Sequence, residues 1–303
     1  MSVTPASTPT PEASTPAAPT PVSPTPVTHD EAATRTVDVG GTPFAYREVG
    51  ATTGTPLVLL HHFTGVLDDW DPAVVDGLGA ERRVILVDLR GVGASGGTTP
   101  DSVEAMAADA VAFIEALGLG TVDLLGFSLG GMVAQQLAQR RPELVRRIIL
   151  AGTSPAGDAG PANTLAVLQN ALQKASADGK HPKHFLFFSP TPTSQAAADA
   201  FLARLDRRTQ DRDTAATDQT IGAQVTALAK WEQSGANTGL TGIDRPVLVV
   251  NGDDDSMIPT ISSFRLADQL PDAELSIYPD SGHGALFQHH ELFVRQTLDF
   301  LRN

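Results

Sequence analysis

Ser128 lies in Gly126-Phe-Ser-Leu-Gly130, a G-x-S-x-G pattern between the apolar run Val122-Asp-Leu-Leu and a stretch, Gly131-Met-Val-Ala-Gln-Gln, with helical spacing. At such a strand-to-helix corner the serine backbone is strained and its hydroxyl is pushed outward. The flanking positions must be small because backbones crowd the turn. The helix that follows presents its positive end to the same spot and favours developing negative charge. This is the setting of a nucleophile. A serine nucleophile needs a base, and the base needs an orienting acid.

The chain has eight histidines. His29 falls in a Pro/Thr-rich N-terminal stretch, and His181 and His184 fall in a helical region. His289 and His290 stand at the entrance to the last helix and read as surface residues. His283, in Pro279-Asp-Ser-Gly-His-Gly, follows the last strand-like run and shares a sheet edge with Ser128, which makes it the expected base. Three candidate acids, Asp253, Asp254 and Asp255, follow the run Val247–Val250 at that same edge.

The elements that must position these residues form an alternating pattern. Thr36–Val39 and Phe44–Val49 flank Gly40-Gly41 and read as a hairpin. Leu57–Leu60, Val84–Val87, Val122–Leu125, Ile148–Leu150 and Val247–Val250 are short continuous apolar runs, as expected of strands buried on both faces. Helical patterns over 102–117 and 129–141 lie between them, and a strand near Leu275–Tyr278 and a helix over 291–301 close the chain. The expected fold is therefore α/β, a doubly wound, mostly parallel sheet. The rhythm breaks over about 154–242, where only helical stretches appear (164–177, 195–208 and 215–233). Its balanced charges and its position beside strand C-termini predict an inserted helical cap.

The order Ser, Asp, His on a doubly wound sheet, with G-x-S-x-G and a late Gly-His-Gly, resembles the α/β-hydrolase family from about Thr36 to the C-terminus. The resemblance implies a cofactor-independent serine hydrolase with a Ser128, Asp255, His283 triad. Asp255 is chosen because Gly252, Asp255 and Pro259 match the family's frame around its acid. It also implies an oxyanion hole from the backbone N–H groups of Leu129 and Phe63, the latter in His61-His62-Phe63. Glycine is usual at His62, so a side chain there either crowds the loop or adds a polar group to the pocket. The loop Asp88–Gly96 resembles a family element that shapes one wall of the site. Its G-x-G opens no helix and carries no dinucleotide.

Serine at 128 points to acyl chemistry on a carboxylic ester or lactone through an acyl-enzyme. Small apolar substrates are expected. His62, Phe127, Phe185, Phe188 and Trp231 are the expected pocket residues, with Phe63 and Phe187 as further apolar candidates. Alternatives on the same triad are a cofactor-free perhydrolase or oxygenase reaction and acyl transfer. A non-catalytic ligand-binding protein on a hydrolase scaffold is the alternative from another class. His61 and His62 with Asp68-Asp-Trp-Asp71 match no metal-ligand spacing, and no metal is expected.

Composition narrows the partners. A net charge of −14 over 303 residues argues against nucleic acid. No run approaches the ~18 apolar residues of a membrane span. The chain has no cysteine, which excludes thiolate chemistry and leaves the redox compartment open. Residues 1–34 are rich in Pro, Thr, Ser and Ala and read as a disordered tail. They lack a basic segment followed by an apolar one, so no secretory signal is recognised and a cytoplasmic location is expected. Nothing in the sequence sets an oligomeric state.

Overall fold

The computed structural model describes residue 1 and residues 27–158, 164–234 and 239–302. Residues 2–26, the greater part of the expected tail, lie outside the described residues. The tail does not extend to Thr34. Val27 bridges to Gly50, whose N–H donates to the Val27 carbonyl at 2.9 Å. His29 is buried, with its backbone N–H on Asp76 and its Nε2 3.3 Å from the Leu67 carbonyl. The buried Ala32 and His29 and a set of backbone partners are enough to fix a segment whose composition reads as unstructured.

Eight strands form one sheet: β1 (Arg35–Val39), β2 (Thr42–Gly50), β3 (Leu57–Leu60), β4 (Arg83–Val87), β5 (Val122–Phe127), β6 (Val145–Ala151), β7 (Val247–Gly252) and β8 (Ala273–Tyr278). Their spatial order is β1-β2-β4-β3-β5-β6-β7-β8. The β1–β2 hairpin turns at Gly40-Gly41, both at positive φ, and β2 pairs antiparallel with β4. From β4 to β8 every pairing is parallel. The continuous apolar runs are explained by the two cores. On β3, Val58 and Leu60 face one hydrophobic cluster while Leu57 and Leu59 face the other. Each such side chain contributes about 1.5–3 kcal/mol on burial, an upper estimate.

Helices α1 (Pro72–Gly79), α2 (Val103–Ala116) and α3 (Leu129–Arg140) follow β3, β4 and β5. Asp71 caps α1 by accepting from the Ala73 N–H, and Ser102 caps α2 by accepting from Ala105. Asp123 interrupts the apolar run of β5 yet is fully buried, because Arg146 of β6 takes both its oxygens at 2.9 and 2.7 Å. Between β6 and β7 the described residues form α4 (Thr164–Asp178), α5 (Lys183–Leu186), α6 (Pro192–Leu205) and α7 (Asp218–Gln233). After β7 come α8 (Ile261–Gln269), then α9 (Ala285–Gln288) and α10 (His290–Arg302) beyond β8. No described helix is long and apolar enough to cross a membrane.

Candidate active site

Ser128 stands between β5 and α3 at φ 56°, ψ −118°, a conformation a non-glycine residue adopts only when its surroundings impose it. Its N–H donates to the Ala151 carbonyl at 2.9 Å, and its carbonyl accepts from the Thr153 hydroxyl at 2.8 Å. The small flanking residues are obligatory. A Cβ at Gly126 would lie 2.4 Å from the Gly130 carbonyl oxygen, and one at Gly130 would lie 2.0 Å from the Leu60 carbonyl oxygen. The second contact shows how closely the start of α3 is pressed against the end of β3 and the His61–Phe63 loop.

Each of these segments carries a backbone donor without an acceptor among the described residues. Leu129 is the first residue of α3, so its N–H has no partner within the helix, and no group among the described residues accepts from it. The Phe63 N–H is likewise without an acceptor among the described residues, whereas the next residue, Thr64, donates to Gln224 Oε1 of α7 at 2.7 Å. Gln224 therefore pins the loop from the helical insertion. No local sequence signal marks it, since its partner is 160 positions away.

Of the three adjacent aspartates, only Asp255 is buried. Its Oδ1 accepts from the N–H groups of Met257 and Ile258 at 2.8 and 3.0 Å, and its Oδ2 meets His283 Nδ1 at 2.8 Å. Asp253 instead braces the β8 loop by accepting from the Ser281 N–H, and Asp254 is exposed. With Nδ1 on a carboxylate, His283 keeps its proton there and leaves Nε2 as the basic atom. The ring rests 4.9 Å from that of Phe127, the residue before Ser128, and no hydrogen bond joins the Ser128 hydroxyl to it. Both Ser128 and His283 are nearly buried, at 7% and 2% exposure.

The expected pocket residues divide. His62 and Phe127 are at the site, their rings 5.4 Å apart. Phe188 is not, because the short α5 ends at Leu186 and the chain then turns Phe188 onto Phe201 beneath the insertion. Phe187 takes the inner place, against Phe127, His62 and His283. Phe185 faces a separate groove with α4 and Ser256. Trp231 lies beyond α3, packed near Gln135 and Leu240, with its N–H 3.4 Å from the Ser154 carbonyl. The cleft beside the elbow is instead narrow, about 30 Å³, with mostly apolar walls that include Leu60, Val87, Met106, Leu129 and Val133. Leu89, Arg90 and Val92 of the loop after β4 also line it.

The run Asp68-Asp-Trp-Asp71 has a role that its sequence does not reveal. Asp68 receives Arg47 at 2.6 Å and lies near Arg208 and Arg212 at 3.6 and 3.4 Å. Asp69 pairs with Lys183, which holds its carboxyl well below the usual range despite burial. Arg204 grips both oxygens of Asp71, at 2.7 and 2.6 Å. Apart from Arg47, every one of these cations comes from the insertion between β6 and β7.

Residues 55–290 match the family model described as the alpha/beta hydrolase fold. The chain belongs to the α/β-hydrolase family. A solved α/β-hydrolase-fold protein from Chitinophaga pinensis is 44% identical to the hydrolase, with a TM-score of 0.87 over 90% of this chain and 98% of that one. A 2-hydroxy-6-oxononadienedioate/2-hydroxy-6-oxononatrienedioate hydrolase of Paraburkholderia phymatum is 31% identical over 293 residues, which are 90% of this chain and 98% of the relative. A Rhizobium rhizogenes protein named for carbamate hydrolysis is 28% identical over 235 residues, 77% of this chain and 87% of its own.

Proposed function

We propose that the hydrolase cleaves carboxylic esters or lactones through a Ser128 acyl-enzyme. The observation that carries this reading is the buried His283 Nδ1–Asp255 contact of 2.8 Å beside a serine held at positive φ. His283 Nε2 takes the hydroxyl proton as Ser128 Oγ bonds to the substrate carbonyl carbon. The resulting oxyanion accepts hydrogen bonds from Leu129 and Phe63, each worth about 3 kcal/mol when measured by removal. The same proton passes to the departing alkoxide, leaving the acyl-enzyme. Water, deprotonated by His283, then releases the acid. The Ser128–His283 hydrogen bond closes on substrate binding, as such contacts commonly do. The insertion serves as a cap over the site, supplying Phe187 just after α5 and Gln224 from α7. Relatives named as hydrolases of carbamates and of 2-hydroxy-6-oxononadienedioate mark the substrates to set against esters in a panel.

The test is stopped-flow hydrolysis of p-nitrophenyl acetate and butyrate with intact-mass detection, on the wild type and Ser128→Ala. The expected result is a burst and an acyl adduct, both lost in the variant. Turnover that persists in Ser128→Ala would overturn the reading.

A further inference from the structure

His62 occupies a position where the family pattern has glycine, and its environment assigns both ring nitrogens. Nδ1 lies 2.7 Å from the Phe63 carbonyl. A carbonyl only accepts, so Nδ1 carries the hydrogen and Nε2 holds the lone pair. Burial pushes the ring's pKa down to about 4, so it is neutral near pH 7. Nε2 is buried and has no partner among the described residues. A buried acceptor left unpaired costs about 1–3 kcal/mol, and such groups are uncommon in folded proteins.

The position of this nitrogen connects it to the site. A Cβ at Gly65 would lie 3.0 Å from it, and Gly65 and His62 line the narrow cleft together with Leu129. Of the other polar groups on that cleft, the neighbouring His61 also has neither ring nitrogen paired among the described residues, whereas Arg90 and Thr99 are occupied. Arg90 is held by Asp109 and Thr42, and the Thr99 hydroxyl donates to the Gly91 carbonyl. Gln224 spends its Oε1 on Thr64 and donates its amide N–H to no described group. An acceptor at His62 and a donor at Gln224 thus remain, beside the His61 ring, in a cleft with otherwise mostly apolar walls. A hydroxyl group, which donates once and accepts as well, matches that pair.

We infer that His62 is a specificity-determining residue whose Nε2 accepts a hydrogen bond from a hydroxyl on the acyl part of the substrate, so that hydroxyacyl esters are favoured over plain alkyl ones. This rests on the acyl-enzyme reading. Leu129, whose N–H would hold the carbonyl oxygen, lines the same cleft as His62, so a hydroxyl meeting His62 belongs to the acyl part lodged there. Sites built around a hydroxyl discriminate strongly against analogues lacking it, because the buried partner is then left unpaired.

The test compares kcat/KM for methyl 2-hydroxypropanoate with methyl propanoate, and for methyl 3-hydroxybutanoate with methyl butanoate. Proton release is followed, and each ratio is normalised to alkaline hydrolysis of the same esters. The wild type should favour one hydroxy ester by roughly tenfold or more. His62→Phe should bring that ratio to about one, and His62→Gln, whose amide oxygen accepts, should restore part of it. Wild-type ratios near one in both pairs would overturn the inference and assign the unpaired nitrogen to water. A ratio that survives in His62→Phe would overturn it as well. A Ser128-dependent burst with p-nitrophenyl acetate alongside either result confines the failure to His62, whereas loss of the burst sinks the acyl-enzyme reading and this inference with it.

Discussion

Gly130→Ala tests the link between the elbow and the oxyanion donors. The new Cβ would lie 2.0 Å from the Leu60 carbonyl oxygen and 2.7 Å from that of His61. Both are backbone atoms, so no side chain can swing away. Reaching an ordinary 3.4 Å contact requires the start of α3 and the end of β3 to separate by about 1.4 Å. Misplacement by about 1 Å costs on the order of 100-fold in rate, and loss of one oxyanion donor costs about 100- to 1000-fold. The expected result is a fall in kcat of at least ~100-fold. Overpacking of about 1–3 kcal/mol should lower Tm by roughly 2–10 °C and leave a folded protein. Burst kinetics and intact mass, read beside circular dichroism and calorimetry, separate the two effects. Gly222→Ala is the control: it lies on α7 with nothing within 4 Å, so it should stabilise by about 0.5–1 kcal/mol without altering the burst. A folded Gly130→Ala protein with kcat within threefold of wild type would refute the proposal that this packing sets the donors.

Other expectations follow from the same geometry. Asp255→Asn can keep the bonds from Met257 and Ile258 but favours the wrong His283 tautomer, and should lower kcat by about 10³- to 10⁴-fold in steady-state assays with little change in Tm. Arg204→Met leaves the buried Asp71 carboxylate without its cation and should cost about 3 kcal/mol in urea unfolding. Asp88 is buried beside Asp213, and both desolvation and that neighbour hold its carboxyl well above the ordinary range. A group whose folded pKa is raised stabilises at low pH and loses that contribution as pH rises through the folded value. Tm should therefore fall with rising pH above the ordinary carboxylate range, and Asp88→Asn should flatten that slope in scanning calorimetry.

The sheet was legible because its information is local: each strand buried on both faces announces itself as an apolar run, and the elbow needs glycines within two positions of the serine. The frame Gly252, Asp255, Pro259 selected one aspartate of three, and that aspartate is the one against His283. What escaped sequence reading depends on distant partners. The Asp68–Asp71 run fits no metal-ligand spacing and shows no role until cations more than 100 residues away arrive, and Gln224 is ordinary helix until it meets Thr64. Aromatic content over 184–188 drew attention to Phe185 and Phe188, yet the end of α5 at Leu186 decides which ring turns inward, and it is Phe187.

The acidic strip makes the insertion a component that cannot be exchanged freely. Three carboxylates on the segment after β3 each hold a cation from α5, α6 or the turn that follows α6. A chimera that replaced this insertion with one lacking Lys183, Arg204, Arg208 and Arg212 would leave Asp69 without its cation and strand the fully buried Asp71 carboxylate, with Asp68 held by Arg47 alone. Recombining such hydrolases to move substrate range therefore requires the crossover to carry residues 68–71 along with the helices, so that the interchangeable unit is a pair of distant segments rather than one continuous stretch.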